Sequence, residues 1–152
     1  MYTITNNKTD TMETTGRTSI TVEATVHAPL DKVWELWTGP HHITQWTNAS
    51  DDWHAPRAEN DLREGGKFNT RMEAKDGSFG FDFEGEYTTV NHHELIAYKL
   101  GDDRRVQISF RGDGDTTLIT ETFDAEGENP IEMQRGGWQA ILNNFKRYAE
   151  AN

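Results

Sequence analysis

An aromatic-rich block early in the chain, Val33-Trp34-Glu35-Leu36-Trp37 through Trp46 and Trp53, and one long amphipathic helix carrying Trp138 near the end bracket a stretch that reads almost wholly as strands. A chain ordered in this way can wrap a curved antiparallel sheet around its last helix. One helix has difficulty filling the middle of a strongly curved sheet, so the expectation is an internal cavity lined by large apolar side chains. The alternative is that the same side chains meet and close into solid core.

The strand pattern begins at Ser19, where Ile20, Val22, Ala24 and Val26 alternate with Thr21, Glu23 and Thr25 in the two-residue period of a half-buried strand. Residues 1–17 are polar, Thr-rich and aperiodic and read as a flexible leader; 18–152 read as one domain. Pro29 opens a short helix whose Val33, Trp34, Leu36 and Trp37 form an apolar stripe, and Gly39-Pro40 separates it from a second short helix from about His41 to Trp46. Residues 47–65 look irregular apart from a short strand around Trp53 to Arg57. Strands then follow at Phe68, Thr70 and Met72; at Phe79, Phe81, Phe83 and Tyr87; at Leu95 to Leu100; at Val106, Ile108 and Phe110; and at Thr116 to Phe123. The short links between them, such as Asp76-Gly77 and Gly112-Asp113-Gly114, predict an antiparallel meander. Gly85 interrupts the aromatic row and suggests a bulge or bend.

Asn129-Pro130 reads as an N-cap followed by Pro at the first helical position, opening a helix to about Glu150. Met133, Gly137, Ile141 and Phe145, flanked by Trp138 and Leu142, form its apolar face, with Arg135 on the opposite side. Gly136-Gly137 in mid-helix costs roughly 1 kcal/mol per Gly relative to Ala. Either the helix approaches the sheet closely there, or the missing side chains leave space for a ligand.

The 152 residues carry five Trp, seven Phe and four Tyr, enough for a sizeable core despite an apolar fraction of 34%. The absence of Cys removes disulfides, thiolate ligands and Cys nucleophiles. A net charge of −11 repels phosphate backbones and anionic headgroups, so neither nucleic acid nor stable membrane association is expected. Such acidity is also compatible with a high-salt habitat. Lacking a signal-peptide-like run or a spanning segment, the chain is expected in the cytoplasm.

The aromatic row Phe79, Phe81 and Phe83 is expected to face Met133, Trp138 and Ile141 across the cavity. Trp37, Trp53, His54, Phe68, Thr70, Met72, Phe81, Phe83, Met133, Trp138 and Ile141 are the candidate ligand contacts, with Gln107 and Gln134 as weaker polar ones. His54, beside Trp53 at the expected mouth, is the best-placed lone imidazole. Arg71 should face outward into surface ion pairs. His41-His42 and His92-His93 are adjacent pairs whose side chains diverge, so they read as solvated loop histidines and no metal site is expected. Asp82, Glu84 and Glu86 make an exposed row of charge on the convex face, which gives no support to acid catalysis in the cavity. Nucleophile-elbow, Walker and dinucleotide fingerprints are all missing, so no catalytic residue and no cofactor is assigned.

Val33-Trp34-Glu35-Leu36-Trp37-Thr38 with Ile43, Gln45 and Trp46, then Leu62, Gly65-Gly66-Lys67-Phe68, Phe83-Glu84-Gly85, and Gly136-Gly137-Trp138 with Leu142 and Phe145, resemble the bacterial and archaeal proteins similar to the Hsp90 ATPase activator, within the START-like or Bet v 1-like superfamily. The resemblance covers about residues 18–150. It implies an α+β helix-grip: a curved antiparallel sheet of six to seven strands wrapped around a long C-terminal helix, with two short helices after the first strand. It further implies a cavity of the kind that holds hydrophobic molecules in that superfamily. The leading expectation is therefore binding of a small hydrophobic or amphipathic molecule by a monomer or weak homodimer. The alternatives are a regulatory module that binds a protein partner and an enzyme acting on a hydrophobic substrate in the same cavity.

Overall fold

The computed structural model describes residues 17–152, so the leader expected over 1–17 lies, apart from Arg17, outside the described residues. In chain order the elements are β1 (Ser19–Val26), α1 (Leu30–Thr38), α2 (Pro40–Trp46), β2 (Trp53–Asn60), β3 (Lys67–Ala74), β4 (Gly80–Asn91), β5 (Leu95–Leu100), β6 (Arg105–Asp113), β7 (Thr116–Asp124) and α3 (Ile131–Ala151). The seven strands form one antiparallel sheet in the order β1-β7-β6-β5-β4-β3-β2, a meander from β2 to β7 closed by β1 at its far edge. This is the expected α+β helix-grip, with two short helices after the first strand.

Alternation decides which side chains turn inward. Ile20, Val22 and Val26 of β1, Ile96, Tyr98 and Leu100 of β5, and Val106, Ile108 and Phe110 of β6 are all buried on the concave face. Cross-strand pairing sets Ile96 beside Ile108, Ile108 beside Glu121, and Glu121 beside Val22, so one row across the sheet holds three aliphatic side chains and a carboxyl group. The helices α1 and α2 complete the core with an aromatic knot. Trp37 lies 4.7 Å from Trp46 and 4.8 Å from Phe145 of α3, ring centre to ring centre, and Trp46 donates its indole N–H to the Leu36 carbonyl at 3.1 Å.

The long helix α3 is fastened to the edge strand β1. Arg135, Gln139 and Lys146 donate hydrogen bonds to the backbone carbonyls of Thr21, Glu23 and Thr25 at 3.0, 3.1 and 2.6 Å. The His27 N–H in turn donates to Glu150 at 2.8 Å. Leu142, Phe145 and Ala149 of α3 are fully buried below these contacts. On its other flank, Asn144 donates to the carbonyls of Trp46 and Asn48.

Four local expectations change. The strand around Trp53 runs on to Asn60, with a register irregularity between His54 and Arg57 that contains Ala55-Pro56. Gly85 sits in regular pairing with Phe68 and Leu100, and the bulge of β4 falls between Tyr87 and Thr89. Close approach explains Gly85 instead: a Cβ there would lie 2.7 Å from the Lys99 carbonyl oxygen and 2.9 Å from the Phe68 ring. Asn129 does not cap α3; the helix starts at Ile131, and the Gln134 side chain reaches back to the carbonyls of Glu126 and Asn129. Finally, Gly136 and Gly137 do not mark close helix packing, because a Cβ at either position would meet nothing within 4 Å.

The two kinds of glycine should therefore respond oppositely to the same methyl group. Urea unfolding is expected to show Gly85→Ala destabilised by about 1–3 kcal/mol, from overpacking against backbone and ring. Gly136→Ala is expected to gain up to about 1 kcal/mol of helix propensity.

Candidate functional site

Because α3 follows the β1 edge, the concave face of β3, β4 and β5 is left without a helix directly over it. A cavity of about 490 Å³ occupies that space, within the range of small-molecule sites. Its floor is the sheet: Phe68, Thr70 and Met72 of β3, Phe83 and Tyr87 of β4, Ile96 and Tyr98 of β5, Ile108 of β6 and Glu121 of β7. Trp37, Ile43 and Trp46 wall one side, and Gly137, Trp138 and Ile141 of α3 the other.

Trp138 is held flat against Phe123, with ring centres 3.9 Å apart and planes 12° apart, and Phe83 approaches it edge-on at 6.3 Å. Phe68 sits in a nest of rings, 4.7 Å from Tyr98 and 5.2 Å from Tyr87. The Tyr87 hydroxyl donates to the Asn60 side-chain oxygen, and Asn60 donates to the Thr38 carbonyl at 2.8 Å, which ties this end of the sheet to the end of α1. Burial pushes the phenol pKa values of both Tyr87 and Tyr98 up, Tyr98 well above the ordinary tyrosine value with the Glu121 carboxylate adding to the effect.

Of the candidate contacts, Trp37, Phe68, Thr70, Met72, Phe81, Phe83, Met133, Trp138 and Ile141 line this cavity, and Gln134 lines it too. Phe81 and Met133 do so only at the rim, where they are 41% and 62% exposed. Trp53 and His54 lie outside the lining. Trp53 packs instead against Phe79 and Phe81 beyond the rim, with ring centres 6.0 and 6.1 Å away. The reason for His54 is pairing parity: it pairs with Glu73, whose neighbours Thr70 and Met72 alternate inward, so both His54 and Glu73 face the convex side, 3.8 Å apart. Phe79 precedes β4, is 61% exposed and does not face the helix as expected. Gln107 also lies outside the lining. Arg71 takes the surface role foreseen for it, 2.9 Å from Glu73 and 3.5 Å from Asp82.

The pattern of β4 speaks only for its own carboxylates; the one on the cavity floor is Glu121 of β7. The alternation that turns Thr117, Ile119 and Phe123 inward on β7 turns Glu121 inward with them, and it is 6% exposed. Among the described residues it has no hydrogen-bond or ion-pair partner. Desolvation alone raises its pKa from 4.5 to about 8, so the group is largely protonated at neutral pH. Elsewhere on the lining Arg104 is bonded to Asp102 at 2.7 Å and stands near Glu126, while Thr38, Asn60 and Tyr87 supply polar groups beside α1. Among the described residues no histidine, lysine, serine or cysteine lines the cavity, and no group of three or more potential ligands is placed to hold a metal ion. The arrangement can therefore enclose an apolar body and present to it one carboxyl group without a partner, Glu121, while the second on the lining, Glu126, is taken up by Asn129 and Glu128. It offers no nucleophile and base in partnership. No described helix is long and apolar enough to cross a membrane.

The family model for activator of Hsp90 ATPase homolog 1-like proteins matches residues 27–150. The solution structure of an AHSA1-like protein from Aeromonas hydrophila is 42% identical, with a TM-score of 0.83 over 88% of this chain and 93% of that one. A solution structure from Cytophaga hutchinsonii is 55% identical, with a TM-score of 0.77 over the same shares of the two chains. A crystal structure from Nitrosomonas europaea, 18% identical with a TM-score of 0.75 over 88% of this chain and 94% of that one, shares the fold. No curated protein matches the chain.

The raised pKa of Glu121 has a definite sign in stability. The folded chain keeps a proton that the unfolded chain releases above 4.5, so the contribution of Glu121 is fully present below that pH and is lost as pH rises through about 8. Compared with Glu121→Gln in urea titrations, the parent protein should lose stability steadily between pH 4.5 and 8, by at most about 5 kcal/mol. A difference that does not vary with pH would mean that the carboxyl group is not held in an apolar environment.

Proposed function

The chain belongs to the activator of Hsp90 ATPase homolog 1-like family, and on that premise we propose that it binds a small, mainly apolar molecule in the cavity between the sheet and α3. Membership suggests binding of a ligand or of a protein in general. The observation that favours a ligand is the cavity itself, about 490 Å³ and lined by eight aromatic side chains. Aromatic rings held in place by one another give a preformed apolar surface, so little side-chain entropy is lost when a ligand enters. Burial of roughly 350 Å² of ligand surface contributes about 9 kcal/mol before binding costs are subtracted, the scale at which micromolar affinity becomes reachable.

The rim supports the same reading. Phe81 and Met133 flank the entrance with exposed apolar surface, and Met adapts its shape to different occupants at low cost. The gap in the α3 wall supplies the most direct test. A side chain at position 137 would project into open space that is part of the cavity, so Gly137→Leu should fill the site from the helix without disturbing the core.

The expected outcome is that the parent protein binds the uncharged fluorophore N-phenylnaphthylamine with micromolar affinity, while Gly137→Leu binds it at least tenfold more weakly and is no less stable to urea. Native mass spectrometry of gently purified parent protein would look for a retained small molecule that Gly137→Leu lacks. Equal fluorophore binding by both proteins would place the site elsewhere on the molecule.

A further inference from the structure

The floor of the cavity holds a group that the fold does not use. Glu121 stands between Val22 and Ile108 in cross-strand pairing and between Ile119 and Phe123 along its own strand, where a third aliphatic side chain would pack as its neighbours do. It is 94% buried, it lines the cavity, and among the described residues nothing bonds to it. A buried carboxyl group without a partner costs stability. A partner brought by the cavity's occupant would offset that cost.

We propose, resting on the ligand-binding reading above, that the occupant carries a basic nitrogen and that Glu121 holds it as a carboxylate–ammonium pair on the cavity floor. The site is then selective for apolar or aromatic amines. Three further features point the same way. The cavity onto which the carboxyl group opens is walled by aromatic rings, Trp37, Phe68, Phe83, Tyr98 and Trp138 among them, and ring faces attract ammonium groups. The chain as a whole carries a charge of −11, which draws cations towards it and repels acids. The lining cation, Arg104, is already bonded to Asp102 and lies close to Glu126, so it does not supply Glu121 with a countercharge.

The pairing has a pH signature. An amine must meet the carboxylate, so below about pH 8 its binding releases a proton from Glu121 and its affinity falls as the solution becomes more acidic. Burial raises the pKa values of Tyr87 of β4 and Tyr98 of β5, and the bonds to Asn129 and Glu128 lower that of Glu126, which lies before α3, so these groups move away from this window. Arg104, before β6, is bonded to Asp102. Among the described residues, β1, β3, α1, α2 and α3 contribute no ionisable side chain to the lining.

Calorimetric titration with a matched pair of probes, naphthylmethylamine and the uncharged naphthylmethanol, tests the proposal. The parent protein at pH 8 is expected to bind the amine at least tenfold more tightly than the alcohol. Its affinity for the amine should drop about tenfold from pH 7 to pH 6 while that for the alcohol stays level. Glu121→Gln should retain the alcohol and lose both the preference for the amine and its pH dependence. Equal, pH-independent binding of the two probes by the parent protein overturns the amine assignment and leaves the cavity reading standing. Loss of both probes in Glu121→Gln makes Glu121 a neutral hydrogen-bonding group and also overturns it. Failure of both probes to bind the folded parent protein overturns the cavity reading and the amine assignment together. The pH profile of the parent protein needs no variant, so the proposal stays open to refutation even if Glu121→Gln does not fold.

Discussion

The row of hydrogen bonds from α3 to the carbonyls of Thr21, Glu23 and Thr25 determines where everything else can lie. A helix that only buried its apolar stripe would settle over the middle of the concave face. Arg135, Gln139 and Lys146 instead satisfy the outer carbonyls of an edge strand, and their reach holds the helix along that edge. Leu142 and Phe145 then close the core beneath β1 and α1, and the sheet curls on past the helix with its inner face lined largely by rings. The empty volume follows from this off-centre seat, because neither short helix extends over β4 and β5.

The aromatic side chains around that volume hold one another in place. Trp138 lies flat on Phe123, and Phe68 is fixed by Tyr87 and Tyr98. Edge and face contacts of this kind keep a wall standing without material behind it, which aliphatic side chains with freer rotamers do less well. Within the wall Gly137 is a gap, and on the floor Glu121 is a polar intrusion. Each costs the folded state something, the first in helix propensity and the second in desolvation. Both costs fall on residues that line the cavity, a pattern expected where a surface is shaped for an occupant.

Strand alternation and turn residues made the architecture legible in the amino-acid order, down to the two short helices and the final amphipathic one. Nine of the eleven candidate contacts lie on the cavity because parity along β3 and β4 and the helical period of α3 decide facing directly. Trp53 and His54 lie off the lining for different reasons: Trp53, paired with Ala74, shares the parity of Met72 but sits beyond the rim against Phe79 and Phe81, whereas His54, paired with Glu73, takes the opposite face. Glu121 was legible in principle, since the parity that buries Ile119 and Phe123 buries it too. The carboxylates of β4 alternate with its aromatic row, whereas the one on the cavity floor lies on β7 among aliphatic and aromatic neighbours. Arg135 illustrates the opposite limit: helical period put it on the outer side of α3, and only the docking direction of that helix brings its guanidinium to β1.

The sheet has a second edge, β2, to which the helix does not reach. There the irregularity between His54 and Arg57 carries Pro56, which has no N–H to offer a neighbouring strand, and α2 packs close by. A seven-stranded antiparallel sheet is a template that copies of itself could extend, and one edge already has its carbonyls engaged by side chains. The donor missing at Pro56 makes the other edge a poorer place for a further strand to add.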